Sequence, residues 1–587
     1  MWFGNLVTMK WWDDLWLNES FATYLAYKAV NHFYPEWRVL DKYIVDEVFS
    51  ALNADALISS HPIKVEVKDP QESTEIFDEI SYEKGGSVLR MIENYLGEEK
   101  FRDGLRNYIK KFSYQNAQAE DLWNSLEEAS QVNVKEIMKD YLEKTGFPQV
   151  EIKKENENCL LKQRRFLFLD IHGLNGSETD YMDKNKLPGY HPDISPGLEP
   201  DISGKHPGSL SGEYPGNDNP YQSALDPRSS VVWKIPMVIN SKDREIRIIF
   251  DKESTVLSDL EPPIILNKNY SSFFVSNYDD EILKNNLENL EKLSEIDQIH
   301  LLHDYEFFVR KGEKSLDDFC QILENYSLKL EGKFLLSEVI SYLNLYYYFS
   351  EGPINEKIKN LLEKFSLKVL EILSKEPKEK ELPYETSLRS KAIYSLGLTQ
   401  NGEILDWSKE KFEEFLKNKQ SLHPDIKQAI FNNAVLTDEK YSESLLNYFQ
   451  ETNLIEEQNK CLVALGNLQN LDKLKNIFDF VLEKARFNQV IFFLSSLASN
   501  LKAKKFSFEL LKNNWSKLEE RGGGPGKSDF VLIRILKSTI PYFGAFVSEE
   551  ELESFLNQEN FQRFEKTKKV VLEKAKVNRL VLIRSRK

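Results

Sequence analysis

The chain opens with acidic side chains set among tryptophans, "WWDDLWLNESFATYL" at residues 11–25. Asp13 and Asp14 stand where carboxylates favour a helix N-terminus, and the tryptophans suit a core. Glu19 then falls beside large apolar side chains. A carboxylate in that setting must be paired, hydrogen-bonded or bound to a metal, because burying it bare is too costly. Residue types alone favour an ordinary salt-bridged helical glutamate.

Other residues offer chemistry that their spacing does not support. His172, His191 and His206 lie in flexible sequence at no ligand spacing. His300 and His303 stand at i, i+3 of a helical stretch with no acidic or cysteine partner at ligand spacing, which predicts solvated surface. "RGGGPGKSD" (521–529) resembles a phosphate loop, but Arg521 occupies the first glycine position and no strand leads into it. Cys159, Cys320 and Cys461 are odd in number and far apart, which favours a reducing, intracellular setting.

The elements that would position Glu19 follow from periodicity. Residues 1 to about 147 are mostly helical, with Leu15, Phe21, Leu25 and Val30 recurring at helical spacing, as do Val88, Met91, Ile92 and Tyr95. Gly146 and Pro148 close that part. Short apolar runs at 149–154, 160–169, 230–239, 244–250 and 262–279 predict a small β-sandwich over 148–279. From 280 to 587 amphipathic segments alternate with short polar breaks, as in an irregular helical solenoid. Asp170–Pro227 holds 8 of the 25 glycines and 8 of the 21 prolines, a loop-like insertion by composition.

Composition sets the outer limits. At 587 residues several domains are expected, and 41% hydrophobic with 29% charged residues is a soluble balance. A net charge of −17 argues against nucleic acid and anionic membrane as partners. No apolar run is long enough to span a bilayer, and no basic segment followed by an apolar one marks a signal peptide.

The order of residues adds a further expectation. "WFGNLVTMKWWDDLWLNESFATY" (2–24) and "FDEISYEKGGSVLRMI" (77–92) resemble the gluzincin zinc aminopeptidases of the aminopeptidase N and puromycin-sensitive type. "SSHPIKVEV" (59–67) and "GFPQV" (146–150) match in order, and "NKNYSSFFVSNYD" (267–279) matches more loosely, with Phe274 and Val275 where Tyr and Arg are usual. In that family H-E-x-x-H is followed, eighteen residues on, by the glutamate of W-L-N-E. The resemblance makes Glu19 the third zinc ligand, Tyr82 the tyrosine that donates to the oxyanion, and Asp14 a partner orienting a zinc histidine.

What the resemblance implies is a multidomain, mostly α protein. Its parts are the C-terminal portion of a thermolysin-like catalytic domain (1–147), a β-sandwich with an insertion at 170–227 (148–279), and an armadillo- or HEAT-like solenoid (280–587). The implied function is a cytoplasmic aminopeptidase using one Zn²⁺ to remove N-terminal residues from peptides. No H-E-x-x-H occurs in the 587 residues. The motif is therefore expected just ahead of Met1, with the chain as given N-terminally truncated and inactive. A non-catalytic peptide-binding or scaffold protein derived from that family is the alternative.

Overall fold

Helix-forming and strand-forming sequence segregate along the chain, and the computed structural model follows that division. It describes residues 2–67, 78–169, 231–524 and 526–586. The insertion expected at 170–227 lies outside the described residues. Residues 1–168 and 232–587 belong to one unit.

The first part is built on α1 (Leu15–Phe33), α2 (Val39–Tyr43), α3 (Phe49–Asp55), α4 (Gly85–Leu96), α5 (Glu98–Phe112), α6 (Ala119–Ser130) and α7 (Val134–Glu143). Leu15, Phe21, Val88, Met91 and Ile92 are buried, as their spacing predicts. Val30 is instead 36% exposed, because α1 projects beyond the helices that cover its first half. A short strand β1 (Val7–Met9) pairs in parallel with β2 (Gln115–Ala117).

Caps fix where the helices begin. Asn133 accepts from the Glu136 N–H at the start of α7, and Asp14 Oδ2 accepts from the Ala119 N–H at 3.0 Å at the start of α6. Asp14 is thereby buried between two helix starts, and burial raises its pKa against the pull of that N–H.

Seven strands follow: β3 (Pro148–Glu155), β4 (Asn158–Arg165), β5 (Ile235–Ser241), β6 (Arg244–Phe250), β7 (Ser254–Ser258), β8 (Ile264–Ile265) and β9 (Val275–Tyr278). They form two sheets, in orders β7-β4-β3-β9 and β6-β5-β8. Only β3 with β9 is parallel in the larger sheet, with Val150 opposite Ser276. Phe274 and Val275, the departures from the family pattern, are fully buried here.

From Asp280 onward every described element is helical. Ser294, Ser315, Asn401, Asn470 and Ser548 cap five of these helices with side-chain oxygens. One core runs from Ile393 to Ala575 through these helices. The glycine-rich stretch after Arg521 is a turn between the helices Trp515–Arg521 and Asp529–Phe543, with Gly523, Gly524 and Gly526 at positive φ.

His300 and His303 correct the expectation of solvated surface: they are 0% and 1% exposed. Their helix, α9 (Glu295–Lys311, preceded by α8, Asp280–Glu288), is buried on nearly every face against the sandwich, α3 and the helix Lys333–Tyr348.

One buried ion pair joins the first part to the sandwich. Lys84 Nζ lies 2.8 Å from Asp55 Oδ2 with both side chains wholly inaccessible, and Asp55 Oδ1 also accepts from the Gly146 N–H at 3.0 Å, just before β3. Burial works against the Lys84 ammonium and the Asp55 charge works for it. Asp55→Ala strands that ammonium and is expected to cost about 3–5 kcal/mol in urea unfolding, with most of the loss recovered when Lys84→Met is added. A single-substitution loss below about 1 kcal/mol would contradict a tight buried pair.

Candidate active site

Glu19 and Tyr82 are 63 positions apart in sequence, and two neighbouring residues bring them together. Ser20, beside Glu19, donates from Oγ to the Ser81 carbonyl at 2.8 Å, beside Tyr82. That bond sets α1 in register with the single π-helical turn Ile80–Lys84 that carries Tyr82. Such turns insert one extra residue into a helix and re-aim a side chain.

Close approach of the two helices needs glycine. A Cβ on Gly85 would meet Ser20 Oγ at 2.1 Å and the Trp16 ring at 3.1 Å, and one on Gly86 would meet the Tyr43 hydroxyl at 2.5 Å. The "KGG" of the sequence is thus the condition for α4 to lie against α1. Further along, Tyr24 donates to Glu93 Oε2 at 2.6 Å and holds the same two helices together.

The result brings the Tyr82 hydroxyl near the Glu19 carboxylate. Burial, then the interaction with Glu19, raise the Tyr82 pKa well above the usual phenol value. Tyr82 therefore stays a neutral donor throughout the physiological range. Glu19 is half-buried near the start of α1.

Tyr82 lines a cavity of about 950 Å³. One wall comes from its own segment, with Asp78, Glu79 and Glu83; the opposite wall comes from the helical part, with Phe492, Phe530, Arg534, Lys537 and Tyr542. Sequence reasoning missed these residues, since their partners are hundreds of positions away. Lys537 Nζ reaches Glu79 Oε2 at 3.0 Å, and Lys566 Nζ reaches Asp78 Oδ2 at 3.0 Å beside His61 Nε2 at 2.7 Å. Burial disfavours charge on both carboxylates, yet the hydrogen bond from His61 and then Lys566 at Asp78, and Lys537 at Glu79, hold the pKa of each below its usual value.

Glu83 has no such relief. Burial, with the charges of Glu47, Glu79 and Asp78, pushes its carboxyl up to about 7, and its Oε2 is buried without a hydrogen-bond partner. The wall beside Tyr82 thus carries one carboxyl that titrates near neutrality.

Fit to a metal is incomplete within the described residues. Glu19 is suitably placed to give one carboxylate ligand, but no group of three His, Cys, Asp or Glu side chains among the described residues could hold an ion. A catalytic zinc takes three protein ligands. No chemical step is therefore derived through a metal from these residues alone.

Comparison with known proteins gives the class. The family model described as Peptidase family M1 domain matches residues 1–141, and the one described as ERAP1-like C-terminal domain matches residues 263–577. Aminopeptidase M1-D of Oryza sativa subsp. japonica is 30% identical over 607 residues, covering 98% of this chain and 62% of that protein. Tricorn protease-interacting factor F2 of Thermoplasma volcanium is 29% identical, covering 94% of this chain and 60% of its own length. Alanine/arginine aminopeptidase of Saccharomyces cerevisiae is also 29% identical, over 96% of this chain and 60% of its own.

The chain belongs to the M1 zinc aminopeptidase family. It spans about three fifths of the length of these curated relatives. Among the described residues no helix is long and apolar enough to cross a membrane.

Glu83 makes a pH prediction. Its folded pKa of about 7 exceeds the ordinary value of 4.5, so the native state binds more protons between those values and stability falls as pH rises across them. Glu83→Gln, fixed neutral, should raise stability by on the order of 2 kcal/mol at pH 8 and by nothing near pH 4. Urea midpoints at the two pH values check this, and an equal gain at both would contradict it.

Proposed function

We propose that this chain carries one zinc ligand and the oxyanion-stabilising tyrosine of an aminopeptidase that removes N-terminal residues from peptides. The observation that carries the reading is the proximity of Tyr82 and Glu19, close enough for the carboxylate to raise the phenol's pKa, in a family whose members are named aminopeptidases. Glu19 is the proposed metal ligand and Tyr82 the proposed catalytic residue. Zn²⁺, when bound with two histidines from an H-E-x-x-H segment, supplies Lewis-acid polarisation of water and the scissile carbonyl.

The chain's own contributions follow from geometry. Tyr82, kept protonated by burial and by Glu19, is preorganised to donate one hydrogen bond where negative charge develops on the substrate oxygen. Asp14 already accepts from the Ala119 N–H, and its proposed part in orienting a zinc histidine is from the start of α1. The cavity gives a peptide room beside Tyr82, and helices of the C-terminal part line its opposite wall. Three buried, free cysteines suit the reducing compartment of a cytoplasmic enzyme.

Residues 1–587 alone supply Glu19 but no H-E-x-x-H. The isolated chain is therefore expected to hold zinc weakly and to leave an aminoacyl fluorogenic substrate uncut. Joining an H-E-x-x-H-bearing segment from a relative ahead of residue 1 should restore stoichiometric zinc and chelator-sensitive turnover. In that protein Glu19→Ala should abolish both, and Tyr82→Phe should lower kcat by about 10²–10³-fold while zinc stays bound. Zinc and turnover that persist in Glu19→Ala would sink the assignment. A complemented chain that binds peptides without cutting them would favour the non-catalytic alternative.

A further inference from the structure

A polar cluster with no exposure to water lies where the first part, the sandwich and the helical part meet. Tyr270, from the turn Lys268–Tyr270, donates to Asp304 Oδ1 at 2.7 Å and lies 3.2 Å from His303 Nδ1. Asp304 Oδ2 accepts from the Ser276 N–H of β9 at 2.6 Å and lies 2.8 Å from His300 Nε2. The first part contributes Phe49 of α3, whose ring stacks on His303 at 3.5 Å. Phe307 flanks the same imidazole at 4.5 Å.

The two histidines are not equivalent. His300 meets the Asp304 carboxylate directly, while His303 reaches Asp304 Oδ1 only at 3.4 Å and shares that oxygen with Tyr270. His303 Nε2 is buried without a hydrogen-bond partner, as is His300 Nδ1, so the difference between the two lies in the direct Asp304 contact of His300. A proton on His303 Nε2 would meet no acceptor and would place a cation between two phenyl rings away from water, with the nearest carboxylate oxygen 3.4 Å from the other ring nitrogen. We propose that His303 is a pH-sensitive latch that holds α3 against α9 and the sandwich while neutral, and releases them when protonated.

The charges around it bear this out. On α9 itself, Asp297, Asp304, Glu306 and Arg310 face the cluster, and Glu306 is taken up by Arg310 at 2.8 Å and by the Tyr346 hydroxyl at 2.9 Å. The sandwich brings Tyr270 and Tyr278, and the helix Lys333–Tyr348 brings Tyr342 and Tyr346. The helix Glu565–Ser585 brings Arg584, which donates to the Arg310 carbonyl at 2.7 Å. Packed on α9, α3 offers Phe49 and Asn53, neither of them charged. Asp304 is kept ionised, with its pKa lowered to about 2 against burial, by His300 and then His303. Burial lowers the basicity of His303, outweighing the pull of Asp304.

The sign follows from linkage. A histidine held neutral in the folded state contributes stability that is full above the unfolded value of about 6.5 and is lost as pH falls below it. One proton taken up on release favours the open state by up to about tenfold per pH unit.

Hydrogen exchange on the full chain at pH 7.5, 6.5 and 5.5, corrected for the intrinsic pH dependence, tests this. Protection of Phe49–Asp55 and Val275–Tyr278 should fall by up to about tenfold per unit below pH 6.5, while the distant helix Ile455–Gly466 keeps its protection. His303→Gln should flatten that dependence, and His300→Gln should leave it in place. Acid sensitivity unchanged by His303→Gln would overturn the proposal. Should that variant fail to fold, the wild type decides: first loss of protection anywhere but the α3–α9–β9 contact overturns it.

Discussion

The Lys84–Asp55 ion pair is the contact on which the site depends. Lys84 ends the turn that carries Tyr82, and Asp55 ends α3. With both side chains inaccessible, neither charge has water to fall back on, so the pair has one acceptable geometry. Asp55 spends its second oxygen on Gly146 and Ser60, which ties the same point to the entry of β3. The turn bearing Tyr82 is thus pinned from behind by the first part and the sandwich at once.

From the front, Tyr82 is placed by the fit of α1 against α4. The Ser20–Ser81 bond sets the register, and the missing side chains of Gly85 and Gly86 set the distance. Bulk at either glycine would displace α4 and with it the turn. Glu19 and Tyr82 come near each other because the missing side chain of Gly85 lets α4 lie against Ser20 and Trp16 of α1 at that point.

How much of this was legible in the sequence depends on the range of each interaction. Local order carried Glu19 and Tyr82, since their neighbours along the chain are also their neighbours in the motif. Amphipathic spacing carried the helices with one buried face, such as α4. It failed at α9, where nearly every face is buried; His300 and His303 read as surface for want of an acidic partner, and Asp304, four residues after His300, is that partner. The acidic wall of Asp78 and Glu79 could not be read either, because Lys566 and Lys537 answer it from 488 and 458 positions away.

That long-range pairing gives the helical part a role beyond enclosure. Asp78 and Glu79 immediately precede the Tyr82 turn, and Asp78 also caps it by accepting from the Ile80 N–H at 3.0 Å. Burial raises the pKa of both carboxylates, and His61 with Lys566 at Asp78, and Lys537 with Lys574 at Glu79, lower it again. Glu83, the one acid on that wall without a cation, is the one whose pKa reaches about 7. The electrostatic state of the wall around Tyr82 is therefore set jointly by its own segment and by lysines near the C-terminus. The cavity therefore presents a charge pattern that neither part of the chain could present by itself.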